Sequence, residues 1–63
     1  MKTHTLIEIL NMEQGKILVE QIDEYENEIR DREIEVDDEG NFFVRCRNRL
    51  IEELKNQFGY DWA

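Results

Sequence analysis

The chain has 63 residues, 40% of them hydrophobic and 38% charged, with 16 acids against 8 bases and a formal net charge of −8. A chain of this length holds a single domain, 1–63, and buries only about 60% of the surface its unfolded form exposes. One cysteine excludes an internal disulfide, apolar runs no longer than three residues exclude a membrane span, and MKTHTLIEIL has no apolar h-region, so no secretory leader is expected.

The first expected element is a short helix. Thr5-Leu6-Ile7-Glu8 fits a capping box, with Thr5 as N-cap and Glu8 reaching back to its amide. Leu6, Ile9 and Leu10 then fall on one face. The run is short and rich in β-branched residues, so a strand is the competing assignment.

A second helix is expected from Met12 to Arg30, capped by Asn11 with Gln14 three residues on. Leu18, Ile22, Tyr25 and Ile29 repeat at helical spacing, flanked by Ile17 and Val19. Gly15 costs this helix about 1 kcal/mol against alanine, or marks a kink in one long helix. Glu20, Asp23, Glu24 and Glu28 fall on its polar side.

The third expected element is a β-hairpin. Glu33-Ile34-Glu35-Val36 alternates, as does Phe43-Val44-Arg45-Cys46-Arg47. If Asp38-Glu39-Gly40 forms the loop, Gly40 takes a left-handed bulge position. Val36 then faces Phe42, Ile34 faces Val44, Glu33 meets Arg45 and Asp31 meets Arg47. Only Phe43 is left stranded on the charged face. A last helix is expected from Arg49 to Phe58, capped by Asn48 and ended by Gly59, with Tyr60 folding back and Asp61-Trp62-Ala63 as a short aromatic tail.

These elements compose an α+β fold, a small two-layer α-α-β-β-α domain whose two-stranded antiparallel hairpin packs on the helices. A lone hairpin is marginal, so the helices must cover it. Its uncovered edges allow a monomer or a homodimer that extends the sheet.

Little in the sequence supports enzyme chemistry. His4 is the single histidine and falls in an N-terminus expected to fray. Cys46, on the expected apolar hairpin face, fits a small buried thiol better than a nucleophile. Asp37-Asp38-Glu39-Gly40 lacks the spacing of a calcium loop, and there is no zinc cluster, P-loop or dinucleotide fingerprint. No catalytic residue, metal or cofactor is expected.

The charge is unevenly placed. Glu20, Asp23, Glu24, Glu26, Glu28, Asp31, Glu33, Glu35, Asp37, Asp38 and Glu39 are opposed within their segment only by Arg30 and Arg32, so residues 20–39 carry −9 and the rest of the chain +1. The bland explanation is a solvated face that keeps a small protein soluble. The sharper one is a docking surface for a basic protein partner. Interleaved Val19, Ile22, Tyr25, Ile29, Ile34 and Val36 argue against a disordered acidic tail.

Glu20, Glu24 and Glu28 on a helix, and Glu33, Glu35 and Asp37 on a strand, would form two short anionic rows about 6–7 Å in repeat. In size, charge and helix–hairpin composition the chain resembles the small acidic inhibitors of phages and mobile elements, such as DNA mimics and anti-CRISPR proteins. No diagnostic motif carries that likeness. It implies a protein that occupies the basic groove of a nucleic-acid-handling partner, using the Glu20–Glu39 acids, with Tyr25, Phe43 or Trp62 as apolar anchors and Phe43 foremost. Two alternatives stand beside it. One is a small regulator touching nucleic acid through Arg45, Arg47 and Arg49, which the −9 segment disfavours. The other is a structural component that buries Phe43 and Trp62 on self-association. The expected compartment is the cytoplasm, with Cys46 reduced.

Overall fold

The computed structural model describes residues 3–62. Met1, Lys2 and Ala63 lie outside the described residues, and with them the end of the expected aromatic tail. The chain forms three helices, α1 (Leu6–Leu10), α2 (Glu13–Asp31) and α3 (Phe42–Phe58), and no strand occurs among the described residues. The expected α+β architecture is therefore wrong. Among the described residues there is no hairpin, no sheet edge for a partner to extend, and no Glu33–Arg45 or Asp31–Arg47 pair.

The first turn forms as its sequence predicts. The Thr5 hydroxyl accepts from Glu8 N at 3.3 Å, and Thr5 N donates to Glu8 Oε1 at 2.9 Å, a complete capping box. α1 and α2 are separate helices, divided at Met12, whose backbone is extended. Asn11 caps the end of α1 rather than the start of α2, and α2 begins with no side-chain cap. His4 does not fray: its backbone N donates to Phe58 O at 3.0 Å, Nδ1 lies 3.1 Å from the same oxygen, and the ring stands edge-on to Phe58.

α2 ends in a Schellman motif. Ile34 N donates to Ile29 O at 2.9 Å and Glu33 N to Arg30 O at 3.1 Å, with Glu33 left-handed at φ 56°. Ile34 thus closes a helix instead of opening a strand. Two turns follow, with Asp38 N bonded to Glu35 O and Asn41 N to Asp38 O. Asp38 Oδ1 accepts from Gly40 N at 3.2 Å. Gly40 is not left-handed, so the expected bulge is absent, and Gly59 is the sole glycine with positive φ among the described residues.

The segment 42–47, expected as a strand, is the first part of α3. Asn41 is its N-cap, accepting from Phe43 N at 2.9 Å and Val44 N at 3.3 Å. Asn48, expected in that role, is an exposed residue inside the helix. A longer helix wins because Val44, Leu54 and Phe58 all turn inward along it, each buried apolar side chain contributing about 1.5–3 kcal/mol. Gly59 ends the helix at φ 67°, its N–H donating to Lys55 O.

α2 and α3 pack together along their length, joined by residues 32–41, and α1 packs on α2. Ile9, Leu18, Ile22, Leu54 and Phe58 form the core. Ile29 and Val44 are also buried. Tyr60 and Trp62 fold back against the core, as expected of Tyr60. The molecule measures 34 × 19 × 15 Å.

Candidate functional site

At 3.6 residues per turn, Glu13, Glu20, Glu24 and Asp31 fall on the strip of α2 opposite Leu18, Ile22 and Ile29, and all four are exposed. Asp23 and Glu28 flank that strip. The helix end passes directly into Glu33, Glu35, Asp37, Asp38 and Glu39, every one exposed. The expected strand row at Glu33, Glu35 and Asp37 does not exist; the exposed acids instead follow one another from the outer strip of α2 into the loop, with Arg30 and Arg32 the exposed bases among them.

Few bases answer it. Within this acidic segment, ion pairs reach Glu20 from Lys16 at 4.0 Å, Glu28 from Arg32 at 3.1 Å and Glu26 from Arg47 at 3.8 Å. Asp23, Glu24, Asp31 and the five loop acids make none among the described residues. Glu26 is the exception in kind. It flanks the buried stripe and also accepts from the Trp62 indole Nε1 at 3.0 Å, so it ties the C-terminal segment to both long helices. Sequence reasoning did not single it out, although its place between Ile22 and Ile29 puts it beside the core.

The proposed anchors fare differently. Trp62 is half-buried against the core, with its N–H occupied by Glu26. Phe43 is half-buried rather than stranded. It meets Tyr25 at 6.3 Å and Phe42 at 5.6 Å between ring centroids, and the Arg32 guanidinium lies 4.9 Å above its ring. Phe42 is the exposed aromatic, at 58%. Tyr25 shares a hydrogen bond with Cys46, which, with the thiol's charge, burial and Glu24, pushes the phenol above its ordinary value. Cys46 is half-buried on α3.

The arginine cluster is split. Arg45 and Arg49 stand on the exposed side of α3, whereas Arg47, only 16% exposed in its side chain, turns inward to Glu26 and Val36 O. No group of three or more His, Cys, Asp and Glu side chains among the described residues could hold a metal ion. No described helix is long and apolar enough to cross a membrane. The chain matches no protein-family model, no curated protein and no solved structure.

Proposed function

We propose that this protein is a small acidic binding module, not an enzyme, that docks its anionic surface on the basic groove of a nucleic-acid-handling protein. The observation that carries this reading is the closely spaced run of exposed acids from Glu20, Asp23 and Glu24 on α2 through Asp31 into the 33–39 loop, interrupted only by Arg30 and Arg32 as exposed bases, most of the acids having no ion pair among the described residues. Acids that only conferred solubility would need no such close spacing, and a one-sided field speeds encounter with a basic partner and rejects other acidic surfaces. Phe42, exposed where the loop enters α3, supplies an apolar contact next in the chain to the acidic loop. On this reading the protein works in the cytoplasm, where Cys46 stays reduced.

Mimicry of nucleic acid is the finer form of the proposal, and phage or mobile-element inhibitors are the model for it. The competing idea, direct nucleic-acid contact through Arg45, Arg47 and Arg49, is weakened by the engagement of Arg47 with Glu26. The test is capture of partners from a bacterial lysate by the wild type and by an Asp23→Lys/Asp31→Lys/Asp37→Lys variant, whose three positions are exposed and lie outside the α2–α3 groove. The expected result is a nucleic-acid-binding protein that the wild type retains, that the variant loses, and that added DNA or about 0.5 M salt releases, since screening at that strength is short-ranged. A partner held equally by both forms contradicts the proposal.

A further inference from the structure

The two sides of the α2–α3 pair are not alike. On one side the chain turns at Gly59 and lays Tyr60 and Trp62 along the core, fastened by Trp62 to Glu26 and by Asp61 to Lys55 at 3.7 Å. On the other side an open groove of about 410 Å³ runs between the helices, and no described part of the chain covers it. Its floor is Tyr25, Cys46 and Leu50, all half-buried. Its α2 wall carries Glu24 and Glu28, and its α3 wall carries Arg49. One wall is acidic and the other basic, and both line the same stretch of groove.

We propose that this groove face binds a second copy of the chain, giving a four-helix bundle about a two-fold axis parallel to the helices. A two-fold contact is self-complementary. With the axis along the helices, the α3 wall of each protomer lies against the α2 wall of its partner at equal height. Arg49 then meets the partner subunit's Glu24, twice over, and the half-buried floors close on each other. A two-fold running across the helices would instead set acid against acid, so the charges select the first arrangement. Glu28 is already held by Arg32, whereas Glu24 makes no ion pair among the described residues and is the carboxylate available to cross. Glu20, Asp23, Asp31 and the loop acids stay uncovered, so the dimer takes only Glu24 from the docking surface proposed above and leaves the rest of it free.

Sedimentation at about 0.15 M salt tests this, because the net repulsion between two acidic chains is screened beyond about 8 Å there. Over about 10 µM to 1 mM the wild type should pass from monomer to dimer. Arg49→Glu and Glu24→Arg should each weaken association about tenfold or more, as unlike charges become like. The Glu24→Arg/Arg49→Glu double variant should regain the wild-type constant within about threefold. Both residues are exposed, and circular dichroism confirms that each variant keeps its helices. A monomer throughout, a dimer indifferent to Arg49→Glu, or no recovery in the double variant overturns the proposal.

Discussion

Gly15 lies directly against Ile9, so closely that a β-carbon on Gly15 would overlap the Ile9 carbonyl oxygen and Cγ2. This approach, not flexibility, explains the glycine near the start of α2. It lets the single turn of α1 bring Ile9 into full burial against Leu18 and Ile22. Gly15→Ala should therefore cost about 1–3 kcal/mol through overpacking, although alanine is favoured in a helix by about 1 kcal/mol. Urea unfolding decides the sign: a more stable variant would mean that α1 does not sit on α2 as described.

Glu33 holds a left-handed backbone at the end of α2, a conformation that costs an L-residue about 1–2 kcal/mol. It also places a negative charge just past the negative end of the helix. Glu33→Gly should stabilise the protein by about 0.5–1 kcal/mol after the entropy gained by the unfolded glycine is subtracted. In a hairpin the same change would weaken a strand, so the direction of the shift in thermal midpoint separates the two architectures.

Asn41 and Asn48 make a paired test of where α3 begins. Asn41→Ala removes the acceptor for Phe43 N and Val44 N and should cost about 1 kcal/mol. Asn48→Ala changes an exposed position inside the helix and should stay within about 0.5 kcal/mol of the wild type. The reverse ranking would place the helix start at Asn48.

Cys46 holds the Tyr25 phenol above its ordinary value by a shared hydrogen bond. The raised group stabilises the fold fully below the unfolded value of about 10, and that contribution is lost as pH climbs through the folded value. Cys46→Ala should lower the Tyr25 titration toward about 10 and reduce the alkaline loss of stability. Ultraviolet titration of tyrosinate follows it, and an unmoved titration in the variant would show that the thiol is not the cause.

The helical elements were legible where a local signal and the packing agreed. The Thr5–Glu8 box, the Leu18–Ile29 stripe and Gly59 each carry a short-range mechanism, and each appears in the structure. The hairpin failed because alternation over a few residues is weak evidence. Val44, Arg47, Ile51, Leu54 and Phe58 also fit a helical stripe, visible only when the window runs past Asn48. Ile34 and Val36 favoured a strand by type, yet a Schellman closure used Ile34 and left Val36 exposed. The charge asymmetry was legible because it depends on where acids lie in the chain. Which of them would be paired was not, since Arg47 reaches Glu26 only once α3 lies along α2.

The most direct measurement of the central claim is to add an arginine-rich peptide to the isotopically labelled protein and follow the backbone amides by NMR, at low salt and at about 0.5 M salt. Shifts should be confined to the outer strip of α2 around Glu20, Glu24 and Asp31 and to the 33–39 loop, and should vanish at high salt. Shifts spread evenly over all three helices, or centred on Arg45 and Arg49, would contradict it.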